Sequence, residues 1–222
     1  IVGFLVLIVA VGISYTQKAS GSLDNFFLGG RNLPWYMAGI SMVATTFAAD
    51  TPLAVTELVG INGISGNWLW WNLLAGGMLT TFFFANMWRR ANIVTEIEFI
   101  EIRYSGKPAA FLRGFKSIYM GLLMNVLIIG WVNLAMITIL EGFFGIPKLE
   151  AFIYTGIGMA LVAVYSSLSG LLGVVITDVI QFVIAIGGSV ILALLVINSE
   201  EVGGIEGLKT ALPQGSLDFF PS

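Results

Sequence analysis

Apolar residues in this chain fall into long runs with few polar interruptions. Six of them approach the length of about 20 residues that a bilayer demands of a spanning helix. They lie near residues 1–16, 35–60, 64–88, 116–141, 151–169 and 171–197. The first, IVGFLVLIVAVGISYT, has no initiating Met and no basic segment before it, so it reads as a span truncated at its start rather than a signal peptide. Residues 17–34 and 198–222 read as loops. The last of these, polar and containing Gly and Pro, has the character of a connection between spans, with more protein expected after it.

One run is interrupted near its middle. In VATTFAADTPLAVTEL, residues 43–58, Asp50, Thr51 and Pro52 follow one another inside an otherwise apolar segment. An ionised Asp at the centre of a spanning helix costs roughly 2.5 to 3.5 kcal/mol on insertion scales. Pro52 lacks an N–H for the carbonyl of Ala48 and disfavours helical geometry at Thr51, which predicts an unwound backbone around residues 47–52. On a continuous helix, Thr46, Asp50 and Glu57 would fall within about 40° of one another, a polar stripe that must face protein or water. Broken backbone at membrane depth is tolerated where it lines a cavity, and in secondary transporters such carbonyls bind Na⁺. The alternative is a simple proline kink, with Asp50 bonded to a neighbouring helix for packing alone.

A second acid, Asp178, lies about seven residues into the last run, on the order of 10 Å from its inner end, with Gln181 on the same face. It reads as a functional acid, against the alternative of a carboxylate snorkelling to the interface. Asn125, Asn133 and Thr138 read as polar glue between helices, and the glycine pairs at 76–77 and 187–188 as points of close helix contact.

Composition removes most other chemistry. Hydrophobic residues make up 57% of the 222 positions and charged residues only 10%, with mean hydropathy +0.93, which places the chain among integral membrane proteins. With no Cys and no His, disulfides, thiol catalysis and most transition-metal sites are excluded. No phosphate loop, nucleophile–base pair or basic stripe with interleaved aromatics is present, so neither an enzyme nor a nucleic-acid binder is expected. Eight of the ten basic residues lie in alternate loops on one side: Lys18, Arg31, Arg89, Arg90, Arg103, Lys107, Arg113 and Lys116. Only Lys148 and Lys209 lie on the other, so the positive-inside rule puts the N-terminus and residue 222 outside. Trp35, Tyr36, Trp68, Trp70, Trp71 and Trp88 fit interfacial belts.

Three stretches, FFLGGRNLPWYMAGISMVATTFAAD at 26–50, TEIEFIEIRYS at 95–105 and YSSLSGLLGVVITDVIQFVI at 165–184, together resemble the solute:sodium symporters, a family of bacterial proline, sialic acid, pantothenate and sugar transporters. Where that family often has a Gly-Gly pair followed by a hydrophobe, this chain has Ser169, Gly170 and Leu171. The resemblance implies an all-α integral membrane protein of the inverted-repeat (LeuT-like) transporter fold. Residues 1–16 would be the additional N-terminal span and 35–197 the first five-helix repeat only, the second repeat being absent. It further implies that the carbonyls of Ala44 and Phe47 coordinate the coupling Na⁺, that Thr46, Asp50 and Thr51 lie at the substrate cavity, and that Asp178 belongs to the sodium path or a second sodium site. The expected function is sodium-coupled symport of a small polar solute across the cell membrane by alternating access. Expected partners are that solute, membrane lipids and the missing C-terminal half of the same transporter. A symporter-like sensory module of a signalling protein is the alternative; a passive channel would need a continuous polar lining that the sparse polar residues do not supply.

Overall fold

In a computed structural model, which describes residues 2–221, all regular structure is helical. Helix α1 (Val2–Ala19) is apolar along almost its whole length. The short α2 (Leu23–Leu28) begins where the Ser22 hydroxyl accepts the Asn25 N–H and ends at Gly29 in the left-handed conformation. After extended Pro34 comes α3 (Trp35–Thr46), then α4 (Asp50–Asn62), whose axis is bent 65° from that of α3. The expected unwinding over 47–52 is confined to residues 47–49, because Pro52 sits in the first turn of α4, where no N–H is needed. The break also separates Thr46 from Asp50 and Glu57, so the three do not form the single stripe that a continuous helix would give.

A segmented helical run follows Gly63: a 3₁₀ turn at Ile64–Asn67, α5 (Trp68–Trp71), α6 (Leu73–Leu79), a π-helical turn at Thr80–Phe84 and α7 (Ala85–Ala91). Asn92 closes it in the left-handed conformation. The next loop contains α8 (Glu98–Arg103). Helix α9 (Gly106–Ile118) then passes through a π-helical turn at Tyr119–Met124 into α10 (Asn125–Phe144). The fourth run therefore starts ten residues before the expected 116. Extended Ser105 lets the helix begin, and Pro108 falls in the first turn, where it is tolerated. Helix α11 (Lys148–Ile197) is followed by α12 (Gly204–Ala211), which lies inside the expected final loop.

At about 1.5 Å per residue, a straight 50-residue α11 would be more than twice the thickness of a bilayer core. Gly170 resolves this: with φ 57° and ψ −164° it breaks the helix into two arms, 148–169 and 171–197. Contacts with α1 give their directions. A Cβ at Gly170 would lie 3.1 Å from that of Ala19, one at Gly12 would lie 3.0 Å from that of Tyr165, and one at Gly173 would lie 3.5 Å from that of Tyr15. Both arms thus run back along α1 from its C-terminal end, as a hairpin. Only Gly170 of the Ser169-Gly170 pair has a positive φ, so a serine is accommodated where the family often has its first glycine.

Buried residues concentrate where α1, α3 and α11 meet, among them Ile8, Ala19, Ser41, Tyr165, Ser169, Val175, Thr177 and Asp178. Elsewhere large apolar side chains are exposed, as on helices solvated by acyl chains. Among the described residues, two helical stretches, residues 106–144 and α11 with its turn at Gly170, are long and apolar enough to cross a membrane, and α3 with α4 passes the same test as one bent span. The expected close contacts at Gly76, Gly77, Gly187 and Gly188 are not made among the described residues, where nothing lies within 4 Å of their Cβ positions. Of the three polar residues in the fourth run, Asn133 does bridge helices, to the sulfur of Met159 at 3.2 Å. Asn125 and Thr138 bond to carbonyls of their own helix instead.

Gly170→Ala tests the hairpin. The new methyl would lie 2.8 Å from the Phe26 carbonyl oxygen, at a φ that L-residues avoid. A loss of about 1 to 3 kcal/mol is expected, read as a lower midpoint of thermal unfolding in detergent; an unchanged midpoint would show that the turn imposes no such demand.

Candidate functional site

The end of α3 is built from hydroxyls that turn back on their own helix. Thr45 Oγ1 donates to the Ser41 carbonyl at 2.8 Å and Thr46 Oγ1 to the Val43 carbonyl at 2.8 Å. The Phe47 N–H is shared between the carbonyls of Val43 and Ala44, both at 3.1 Å, after which Phe47 leaves helical geometry at φ −93°, ψ 74°. Thr51 then stitches the far side of the break: its N–H donates to the Ala48 carbonyl at 3.2 Å and its hydroxyl to the Thr46 carbonyl at 3.1 Å. Among the described residues, no hydrogen bond across the break uses the carbonyls of Thr45 or Phe47. The Ala44 oxygen retains a second lone pair beside the one used by Phe47.

Asp50 opens α4, where a carboxylate is favoured by the helix dipole. It is half-buried, like Thr51, while Thr46 is exposed. Thr46 and Thr51 are brought into contact and Asp50 flanks them, so the three expected substrate-cavity residues share one neighbourhood. Ala44 and Phe47 lie at the break; Asp178, expected on the sodium path or at a second sodium site, belongs to the second arm of α11 and meets α3 at Ser41, three residues before Ala44 and six before Phe47, about 9 Å from the latter along the helix. Among the described residues, no group of three or more His, Cys, Asp or Glu side chains able to hold a metal ion occurs.

The Asp178 contact was not foreseen. Asp178 is only 8% exposed, and its Oδ2 accepts a hydrogen bond from Ser41 Oγ at 2.5 Å, across 137 residues of sequence. Its partner is thus Ser41; among the described residues the Gln181 side chain, on the same face of the helix, makes no hydrogen bond. Sequence carried a faint signal: Ser41 and Thr45 are spaced i, i+4 in an apolar helix, which puts both hydroxyls on one face. A short, buried hydroxyl–carboxylate bond ties the broken span to the α11 hairpin.

Comparison with known proteins agrees with this geometry. The profile of the Sodium:solute symporter family matches residues 26–215, and the chain belongs to that family. It is 28% identical to human "Sodium/glucose cotransporter 4", over 94% of this chain and 30% of that protein. It is 27% identical to the "Sodium/sialic acid symporter SiaT" of Proteus mirabilis, over 99% of this chain and 42% of that one. A "Sodium/glucose cotransporter" of Vibrio parahaemolyticus is 32% identical, over 83% of this chain and 34% of that protein. Among solved structures, the outward-open, substrate-bound state of a Na⁺-coupled sialic acid symporter, whose description reports a novel Na⁺ site, superposes with TM-score 0.77 at 25% identity, covering 94% of this chain and 41% of that one. The fold is thus that of the LeuT-like sodium symporters, and the chain spans well under half the length of the relatives it matches.

A double-mutant cycle on Ser41→Ala and Asp178→Asn measures the tie between the two helices. Removing the Ser41 hydroxyl leaves a buried carboxylate short of a partner, so the single variant should lose about 1 to 3 kcal/mol of stability. The two changes together should cost less than the sum of the singles. Strict additivity in thermal or denaturant unfolding would mean that the bond contributes nothing.

Proposed function

We propose that this chain forms part of a sodium-coupled symporter that moves a small polar solute across the cell membrane by alternating access. The observation that carries the reading is the break at residues 47–49 in a membrane-spanning helix pair, with free carbonyl oxygen on one side and Asp50 and Thr51 on the other. In this scheme the carbonyls of Ala44 and Phe47 contribute to a Na⁺ site. Thr46, Asp50 and Thr51 border the solute, and Asp178 acts on the sodium path. A dehydrated hard cation needs about six oxygens. Two carbonyls supply a fraction of them, and in an inverted-repeat transporter the site lies between the repeats. The remaining ligands come from outside these 222 residues, as does the other wall of the solute cavity.

The domain scheme accompanying this reading has the additional span at 1–16, a cytoplasmic loop at 17–34, the first repeat at 35–197 and an external loop at 198–222. The structure lends it one support: the loops after α1 and α7 and the Gly170 turn gather at one end, where Gly29 approaches Leu172 and an Arg31 guanidinium N–H reaches the Ile93 carbonyl at 3.5 Å. That end carries the eight basic residues, so it is the cytoplasmic one and the N-terminus is outside.

Two experiments test these statements. In proteoliposomes containing the full-length protein, an inward Na⁺ gradient should drive uptake of sugars or sialic acids screened as candidate solutes. Asp178→Asn should raise the Na⁺ concentration for half-maximal uptake about tenfold, the equivalent of roughly 1.4 kcal/mol. Uptake indifferent to Na⁺ would overturn the coupling, and a wild-type Na⁺ dependence in the variant would remove Asp178 from the sodium path. For orientation, Ser105→Cys and Gln214→Cys in a Cys-free background should differ in sealed cells: an impermeant thiol reagent should modify only the cysteine at 214. The reverse pattern would invert the topology.

A further inference from the structure

The segment between α7 and the start of the fourth run carries more positive charge than it uses. Residues 89–116 contain six cations, Arg89, Arg90, Arg103, Lys107, Arg113 and Lys116, and three acids. All three acids are engaged. Glu101 pairs with Arg113 and Glu96 with Lys116, while Glu98 accepts the Val94 N–H at 3.0 Å and the Thr95 hydroxyl at 3.3 Å. Among the described residues, Arg89, Arg90, Arg103 and Lys107 are left with no acidic partner. The excess charge is fixed beside a membrane and has nothing in this segment to neutralise it.

One helix face places part of that charge at the head of an apolar track. Lys107, Phe111, Phe115 and Tyr119 recur every four residues along α9 and into the π-helical turn, so they form one slowly winding stripe. The three rings form a ladder: Phe111 and Phe115 stack with centroids 6.4 Å apart and planes 18° apart, Phe115 and Tyr119 at 5.9 Å and 9°. Among the described residues no helix covers them, for Phe111 is 76% exposed, Phe115 56% and Tyr119 44%. Arg113 and Lys116, the cations already paired with α8, lie roughly 120 to 180° around the helix from the middle of this stripe. Arg103 ends α8 four residues before Lys107, its guanidinium over the Tyr104 ring at 6.0 Å.

We propose that this face of α9 binds an anionic phospholipid, with the headgroup phosphate at Lys107 and Arg103 and an acyl chain along the Phe111–Phe115–Tyr119 ladder. The charge selects the occupant: unpaired cations at a membrane surface attract anionic headgroups, and rings at the headgroup boundary lie against the first methylenes. A second protein would have to supply acids at the surface end and an apolar face beyond it. An anionic lipid carries both in one molecule. The proposal rests on the membrane embedding of the chain and not on sodium coupling, so the two can fail separately.

The test uses the purified full-length protein, equilibrated with equimolar phosphatidylglycerol and phosphatidylcholine of matched chains, with retained lipids counted by native mass spectrometry. Phosphatidylglycerol should be retained preferentially, and the Arg103→Gln/Lys107→Gln variant should lose that preference by about fivefold or more. Lys148→Gln, which removes a cation outside this segment, should leave it intact. Equal retention in wild type and the double variant, or an equal loss in Lys148→Gln, would overturn the site. A nitroxide at Phe115→Cys in a Cys-free background gives an independent reading. Strong collisions with dissolved oxygen and weak ones with a water-soluble nickel chelate are expected of a lipid-facing position. Occlusion from both would show that protein covers the ladder and would overturn the proposal.

Discussion

A helix that stops being a helix inside a bilayer must find partners for the backbone groups it frees, because no water is there to take them. That demand organises the region around residues 47–49. Pro52 is placed where its missing N–H is not missed, and Thr51 supplies two donors from one residue, N–H to Ala48 and hydroxyl to Thr46. Among the described residues, the carbonyls of Thr45 and Phe47 and the N–H groups of Ala48, Ala49 and Asp50 make no hydrogen bond across the break. Carbonyl oxygens freed at such a break are of the kind that binds a cation in secondary transporters, and the Asp50 carboxylate beside them makes the surroundings more negative still.

The same span is anchored one turn and a half earlier. Ser41 holds the buried Asp178 carboxylate, and Asp178 sits on the second arm of a hairpin whose turn at Gly170 lies against Ala19 of α1 and Phe26 of α2. The turn fixes where the arm begins, and the arm fixes the depth of Asp178. Eight residues past Gly170, about 12 Å at helical rise, the carboxylate is level with a hydroxyl of the broken span. Buried without a partner, the acid would be costly: the serine satisfies it.

Much of this could be read before any coordinates were seen, for identifiable reasons. Asp50 and Pro52 announce the break, since both carry a penalty that depends only on chain chemistry and on being in a membrane. Gly170 falls between the runs 151–169 and 171–197, so the turn in α11 was legible from run length alone. The start of α9 was not, because Lys107, Arg113 and Lys116 lower the hydropathy of a stretch whose helical character lies in its four-residue spacing of aromatic rings. The Asp178–Ser41 bond was hidden for a different reason. A hydrogen bond between residues 137 positions apart is a product of how α3 and α11 pack, and periodicity within either helix, which puts Gln181 on the face of Asp178, says nothing about the other. The glycine pairs misled likewise: small residues permit close approach, but only tertiary structure decides which are approached.

Rigid geometry links the two polar places on α3. Ser41 and Phe47 belong to one short helix and its cap, so their separation of about 9 Å is fixed by helical rise. Asp178 belongs to another helix, and its distance to Ser41 changes whenever α3 tilts or slides against α11. If the proposed transport cycle moves the broken span relative to the hairpin, the Ser41–Asp178 bond would be strained, while the oxygens at the break would travel with Ser41. A charge that is satisfied by protein in one state and by a cation or water in the other biases the equilibrium between states by the difference in those free energies. Under the function proposed above, the hydroxyl–carboxylate bond would therefore respond to the position of the span that contains the break.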